Sequence, residues 1–254
     1  MTRLFSGWLH DIALSGAFLT RLPFRPGGNV QAAELSRAMR AFPLVGLLIG
    51  GFAGGALWIA AQTNLPPLVC AFIGLIISAW ITCALHEDGL ADVADGMGER
   101  DKARRLEIMR DPRIGTYGVM ALILAVGLKA SILAGLPGPG VTWSTMIAAA
   151  ALSRAVMAPC MVLISPARAD GLGHGAGRPD VSCVFQSLVL GGVAAIAILG
   201  SAMGLAAVTG SLLAMGLTAW LAHARFGGYT GDVLGAVQQV AEIFILCAVG
   251  AILP

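Results

Sequence analysis

Seven apolar stretches alternate with polar connections along the chain, and each is close to the length that a helix needs to cross a bilayer, about 20 residues. The fifth and sixth form one continuous apolar block, which we divide around residues 200–210 because it is roughly twice the length of one crossing. This pattern predicts an all-α, polytopic membrane bundle of about seven transmembrane helices. The predicted spans are 42–61, 67–85, 114–135, 142–164, 184–204, 205–224 and 233–253.

Composition supports a membrane protein and excludes several soluble classes. Of the 254 residues, 57% are hydrophobic and only 12% are charged, whereas soluble proteins carry roughly 25% charged residues. The chain contains no Rossmann fingerprint, Walker loop or nucleic-acid motif. We therefore expect a single domain over residues 1–254, in contact with the lipid bilayer and with no nucleic-acid partner.

Basic residues occur in alternate connections, which indicates the orientation of the chain. They concentrate in residues 1–40, 86–113, 165–180 and at Arg225, whereas the other two connections have none. Because basic connections stay on the cytoplasmic side, the N-terminus should be cytoplasmic and the C-terminus on the far side of a bacterial inner membrane. Residues 1–40 are predicted to form a cytoplasmic or interfacial helical segment.

An acidic cluster, HEDGLADVADG, follows the second predicted span directly. Asp88, Asp92 and Asp95 are spaced i, i+4, i+7, so a helix would place them on one face. The alternative is a solvated connection of mixed charge, but no basic residue lies between positions 84 and 98. Clustered carboxylates suit magnesium, manganese or calcium. The sequence therefore predicts a divalent metal site in an acidic active-site connection, residues 86–113, that faces the cytoplasm.

Two further polar elements accompany the cluster. Arg110, Asp111 and Arg113 precede the third span, and guanidinium groups beside carboxylates suit phosphate oxygens bridged by a metal. The alternative is the ordinary basic flank of a membrane helix. Three hydrogen-bonding residues, which could bind substrate or simply cap the last helix, precede the last span: Tyr229, Thr230 and Asp232.

Charged residues inside predicted spans are the third kind of candidate. Arg154 and Glu242 either form a pair that locks helices together or contact substrate. Lys129 is expected to extend to the far interface, in a structural role. His86, beside the carboxylates, is a candidate acid, base or phosphate donor.

These motifs together resemble the cobalamin synthase family of adenosylcobinamide-GDP ribazoletransferases. The resemblance rests on HEDGLADVADG, LEIMRDPRIGTYGVMALIL, SRA at 153–155, GGYTGDVLGA with Glu242 downstream, TRLPF at 20–24 and FPLVG in the first span. Glu87 departs from the apolar residue that is common in the family. The resemblance implies a magnesium-dependent membrane enzyme that joins adenosylcobinamide-GDP to α-ribazole or α-ribazole 5′-phosphate and releases GMP, the last step of cobamide nucleotide-loop assembly.

The expected mechanism assigns a role to each candidate. Asp88, Asp92 and Asp95 hold one or two metal ions on the diphosphate, and Asp95 or Asp111 accepts the proton of the attacking hydroxyl. The other candidates contact substrate: His86, Glu87, Arg110, Arg113, Arg154, Tyr229, Thr230, Asp232 and Glu242. Association with further copies of the chain, or with other enzymes of cobamide assembly, is left open.

Two other functions compete with this one. A CDP-alcohol type phosphotransferase also uses spaced aspartates near a membrane, but the order of its motif is not reproduced here, since no Ala-Arg pair follows Asp88 at the needed place. A cation transporter predicts carboxylates at mid-membrane in several spans. In this chain the carboxylates concentrate in one connection, and Glu242 is the exception.

Overall fold

The computed structural model describes residues 2–27, 32–171 and 175–253, and within them the chain is helical, as predicted. A 3₁₀ turn at Met39–Ala41 joins the second and third helices. The helices are α1 (Thr2–Leu19), α2 (Ala32–Ala38), α3 (Phe42–Ala60), α4 (Pro67–Thr82), α5 (Leu85–Met97), α6 (Lys102–Ile108), α7 (Thr116–Gly135), α8 (Pro139–Ala155), α9 (Met157–Leu163), α10 (Val181–Leu199), α11 (Ser201–Phe226) and α12 (Gly231–Gly250).

Seven membrane crossings fit the lengths and composition of these helices. Six segments of the described chain are long and apolar enough to cross a membrane. The α4–α5 pair brings the number to seven if it is counted as one broken span. The division of the long apolar block is confirmed at Gly200, whose φ of +79° breaks the helix between α10 and α11. Glycine adopts this conformation at little cost, and so two crossings can follow each other directly.

Helix α4 turns into α5 through an angle of 91°. Cys83 and Ala84 at the turn both have φ of +53°, a left-handed conformation that costs a residue with a Cβ of order 1–3 kcal/mol. The segment predicted as an acidic connection, residues 86–113, is thus largely helical, because α5 and α6 occupy most of it. The turn directs the acidic helix away from the direction of α4.

Small residues allow the central helices to pack closely. A Cβ added at Gly50 of α3 would lie 2.6 Å from the backbone of Ile147 in α8. A Cβ added at Gly46 would likewise clash with the backbone of Ala150. Close backbone approach through glycine is typical of membrane bundles. Helix α12 packs against α5, α7, α8 and α11, and so it lies at the centre of the bundle and contacts the acidic helix.

The N-terminal helix α1 is fixed to this bundle by a buried carboxylate. Asp11 is fully buried and accepts hydrogen bonds from Arg37 at 3.1 Å and Arg40 at 2.7 Å. The guanidinium of Arg40 also lies over the ring of Trp8, 4.1 Å from its centroid. Within the predicted interfacial segment, residues 1–40, α1 therefore packs on protein as well as facing outward, and α2 continues toward α3 in one candidate span, Glu34–Ala60.

Candidate active site

The three predicted aspartates lie on α5, as the i, i+4, i+7 spacing requires. Asp88 is exposed, whereas Asp92 and Asp95 are half-buried. The charges that act on Asp92 come from Asp88, Asp232, Asp95 and, with opposite sign, Arg168. The structure therefore joins Asp232 of α12, more than a hundred positions away along the chain, to the cluster on α5.

Two glycines bring α5 and α12 together at this point. A Cβ added at Gly89 would lie 2.7 Å from the carbonyl oxygen of Asp232 and 3.0 Å from its Cα, and Gly235 faces the backbone of Gly89 at 3.3 Å. Neither helix could carry a side chain here without moving apart. The separation of Asp88 and Asp92 from Asp232 is thus set by direct contact between two backbones.

Replacing Gly89 with Ala should lower turnover by about tenfold or more. The added methyl group has only backbone to displace, and overpacking of this kind shifts helices at a cost of about 1–3 kcal/mol. The matched control is Gly127→Ala on α7, where a Cβ meets nothing within 4 Å. Steady-state turnover and thermal unfolding of both variants test the prediction, and an active Gly89→Ala enzyme would show that this contact does not set the site.

The connection before α12 positions Asp232 and helps to place the guanidinium group of Arg168 beside it. Thr230 caps the helix by accepting a hydrogen bond from the amide of Val233, and its hydroxyl lies 3.1 Å from Asp232 Oδ2. The backbone of Tyr229 pairs with that of Ser165 and Ala167. This pairing holds Arg168, the next residue after Ala167, close to Asp232, to which it donates a hydrogen bond at 3.4 Å. The side chain of Tyr229 is buried in the apolar core, and its burial raises the pKa of the phenol.

Asp95 has a structural partner in α7. Its Oδ2 accepts a hydrogen bond from the amide of Gly115 at 2.7 Å, and its Oδ1 accepts one from the amide of Gly118 at 2.8 Å. These are free donors at a helix N-terminus, where a carboxylate is favoured. Asp95 therefore anchors α7 to α5. Each carboxylate oxygen has a second lone pair, and so the assignment of Asp95 as a metal ligand stays a prediction.

The Arg-Asp-Pro-Arg segment lies at the surface, where its charges engage each other and a nearby connection. Arg113 is 87% exposed and donates to Asp111 at 2.7 Å, while Arg110 pairs with Asp170 at 2.5 Å. Hydrogen bonds from Arg113 lower the pKa of Asp111 to about 2. A carboxylate held in its ionised form in this way is a weak proton acceptor at neutral pH. Of the two proposed bases, Asp111 is thus the less suited.

A second polar cluster is buried beside the carboxylates. Lys129 donates to Gln239 at 2.8 Å and to Glu242 at 3.3 Å, and Gln238 also donates to Glu242 at 3.3 Å. Gln239 in turn donates to Glu87 at 3.0 Å. The prediction that Lys129 extends to the far interface was wrong: its side chain is 3% exposed and forms the ion pair with Glu242. Burying two opposite charges together costs less than burying either one alone.

Arg154 was expected either to pair with Glu242 or to contact substrate, and within the described residues it has no direct ion pair with Glu242. Contact with substrate stays a prediction. The Nη1 of Arg154 donates to the carbonyl of Ala150 in its own helix, while the charges of Glu242 and Glu87 act on it from nearby. The cluster contains buried polar atoms without a hydrogen-bond partner among the described residues: both ring nitrogens of His86, Glu87 Oε2 and Arg154 Nε. Such atoms normally bond to water or ligand.

The chemistry of the carboxylates fits a hard divalent cation. No group of three or more metal-binding side chains lies close enough to enclose an ion in residues 2–27, 32–171 and 175–253. Magnesium does not require such a cage, because it keeps several waters and binds through one or two carboxylates together with substrate phosphates. Asp88, Asp92 and Asp232 offer such ligands, and Arg168 is a positive charge that acts on Asp92 and Asp232.

Sequence reasoning missed several residues of the site. Arg168 lies in the basic connection of residues 165–180, and only its hydrogen bond to Asp232 reveals a role. Gln238 and Gln239 occur in an apolar span, where adjacent amides are a signal that could have been read as a buried hydrogen-bond network.

Comparison with known proteins connects this site to one family. The family model described as cobalamin-5-phosphate synthase matches residues 11–250. An adenosylcobinamide-GDP ribazoletransferase of Rhizobium etli is 41% identical, covering 96% of this chain and 97% of the relative. The enzyme of the same name from Bradyrhizobium diazoefficiens is 41% identical over 95% and 93%, and that from Azorhizobium caulinodans is 40% identical over 95% of each.

No solved structure matches the chain. The match of the family model nevertheless covers nearly the whole bundle, from α1 to the end of α12, and includes every carboxylate of the site. The chain belongs to the cobalamin-5-phosphate synthase family.

Proposed function

We propose that the chain is an adenosylcobinamide-GDP ribazoletransferase. It joins adenosylcobinamide-GDP to α-ribazole or its 5′-phosphate, releases GMP and completes the nucleotide loop of a cobamide. The observation that carries this proposal is the proximity of Asp232 on α12 to the carboxylates of α5, whose charges act on one another, in a chain of this family. A diphosphate substrate and clustered carboxylates are brought together by a divalent cation.

Magnesium is the proposed cation, with Asp88, Asp92 and Asp232 as the residues that would hold it. A bound magnesium ion offsets the negative charge of the diphosphate and of the leaving phosphate. Arg168 is 17% exposed and directed at Asp232. Its Nη1 has no hydrogen-bond partner among the described residues and is suited to donate to a phosphate oxygen. Arg110 and Arg113 lie at the surface, where they are paired with Asp170 and Asp111.

The chemical step is a substitution at the phosphorus bonded to cobinamide. A ribazole hydroxyl oxygen forms the new bond to that phosphorus, and the bond from phosphorus to the oxygen of GMP breaks. The hydroxyl proton passes to a carboxylate of the cluster on α5 and α12, since the strong pairing of Asp111 with Arg113 makes it a poor acceptor. The leaving phosphate keeps the bridging oxygen and the electron pair.

We place this site at the cytoplasmic face of a bacterial inner membrane. Support comes from the basic residues of alternate connections and from the position of the site at the ends of α5 and α12 that adjoin those connections. Association with other copies of the chain, or with other enzymes of cobamide assembly, stays a prediction.

A reconstituted assay tests the proposal. Purified protein supplied with GDP-activated cobinamide, α-ribazole and magnesium should release GMP and form cobamide in equal amounts. Chelation of the metal with EDTA should abolish turnover, and added magnesium should restore it. CDP-alcohol donors should give no product, and liposomes that contain the protein should show no cation flux. Absence of GMP under these conditions would overturn the proposal.

A further inference from the structure

A mostly apolar cavity opens beside the carboxylates. Its volume is about 190 Å³, and it lies where α1, the 3₁₀ turn and the start of α3 meet α5, α9 and α12. Five of the fourteen residues in its wall carry a phenyl ring or a thioether: Phe18, Met39, Phe42, Met157 and Met161. Phe18 and Phe42 are stacked, with ring centroids 6.1 Å apart. These side chains offer an aromatic guest both ring and sulfur contacts.

The polar end of the cavity belongs to the proposed active site. Asp88 and Asp232 form part of its wall, together with His86. A molecule that fills the apolar end would therefore have its polar part beside the carboxylates that we assign to the metal and the reacting phosphate.

His86 supplies a second, independent sign of a ligand. Its side chain is 1% exposed, and neither Nδ1 nor Nε2 has a hydrogen-bond partner in the described part of the chain. A neutral imidazole always has one N–H donor and one nitrogen acceptor. Leaving both ring nitrogens unpaired in a buried position costs free energy, which a ligand with a complementary group would recover.

The size and chemistry of the cavity indicate which group of the two proposed substrates it can hold. A cavity of about 150 Å³ lined by apolar side chains is enough for one benzene ring, and so this one holds a single small aromatic system and cannot hold a corrin ring. Guanine has donors and acceptors on most of its edge and would leave them unpaired against Phe and Met. The base of ribazole is mostly apolar and has one unsubstituted ring nitrogen, an acceptor for His86.

We propose that this cavity binds the aromatic base of the ribazole substrate and that His86 donates a hydrogen bond to its unsubstituted ring nitrogen. The inference rests on the proposed function and assigns the acceptor subsite within it. With the base held in the apolar end, the ribose extends toward Asp88 and Asp232, so that its attacking hydroxyl faces the diphosphate. The base thus positions the nucleophile, as binding of remote groups commonly does.

The first test fills the cavity. Ala176 lies in its wall and is buried. Ala176→Leu should raise KM for α-ribazole by about tenfold or more and leave KM for adenosylcobinamide-GDP unchanged. The control is Ala134→Leu in a cavity of about 200 Å³, at the end of the bundle where α3 joins α4 and α7 joins α8. It should change neither value.

The second test removes the proposed hydrogen bond between His86 and the base, first by changing the base and then by replacing His86. Wild-type enzyme should bind α-ribazole about tenfold more tightly than an isosteric riboside whose base has C–H in place of the unsubstituted nitrogen. His86→Phe should bind the two ribosides equally. A merely structural role of His86 would weaken both ribosides alike and leave this discrimination intact, which would overturn its assignment.

The outcomes separate this inference from the proposed function. If wild-type enzyme releases GMP but Ala176→Leu leaves KM for α-ribazole unchanged, the cavity does not hold the base and the reaction still stands. A lipid chain retained by purified wild-type protein and lost from Ala176→Leu, with both KM values unchanged, would assign the cavity to lipid and overturn the inference. If wild-type enzyme gives no GMP, the proposed function fails first.

Discussion

Replacing Asp92 with Asn should reduce turnover by at least about a hundredfold while the protein remains folded. Asp92 is half-buried, and the charges of Asp88, Asp232 and Asp95 act on it. An amide of the same shape removes one anionic ligand from the proposed magnesium site. It also relieves repulsion among the carboxylates, so that the metal-free variant should unfold at the same temperature as the metal-free wild type or above it.

Two measurements separate lost chemistry from lost structure in this variant. Magnesium should raise the unfolding temperature of the wild type, because a ligand that binds only the folded state stabilises it, and it should have little effect on Asp92→Asn. Glu107→Gln is the matched control: it makes the same chemical change at a surface carboxylate that is 68% exposed and paired with Arg104. This control should retain full activity. An active Asp92→Asn enzyme would refute the assignment of the site.

Replacing Lys129 with Met should destabilise the bundle by about 3 kcal/mol. The ammonium of Lys129 lies 3.3 Å from Glu242, and both side chains are largely buried. Its loss leaves a buried carboxylate that, among the described residues, is balanced by the more distant charge of Arg154. Thermal unfolding in detergent measures the effect, and Lys102→Met is the control, since the other lysine of the chain is exposed and should contribute less than about 0.5 kcal/mol.

A double variant tests whether the ion pair is the cause. Lys129→Met combined with Glu242→Gln removes both charges, and so the loss should be smaller than the sum of the two single losses. Strict additivity would mean that Lys129 and Glu242 act independently and that the stabilising contact lies elsewhere, for example in the bond from Lys129 to Gln239.

Local sequence patterns predicted the features that depend on local physics. The length of apolar runs predicted the spans, because a bilayer imposes one length on every crossing. The division at Gly200 followed from the same argument and is confirmed. The spacing of Asp88, Asp92 and Asp95 predicted one helical face, and α5 provides it.

The features that sequence reasoning missed depend on contacts between distant elements. The turn at Cys83 and Ala84 contains no glycine or proline, and so the sequence does not predict it. The packing of α5 on α12 and α7 stabilises its strained backbone. The partner of Lys129 lies 113 positions away, and no periodicity links the two residues. In the same way, the role of Asp95 as an anchor for α7 depends on amides of Gly115 and Gly118 that a pattern of side chains does not reveal.

The contact between Gly89 and α12 has a consequence for the newly made protein. Asp232 belongs to α12, more than a hundred positions after the aspartates of α5, and so a ribosome must add that length of chain before this carboxylate can meet those on α5. On the proposed assignment of the site, a growing chain that has not yet reached α12 lacks the carboxylate of Asp232. Under the proposed function, such an unfinished molecule cannot consume an activated corrinoid, and we expect catalytic competence only once α12 has been made and packed against α5.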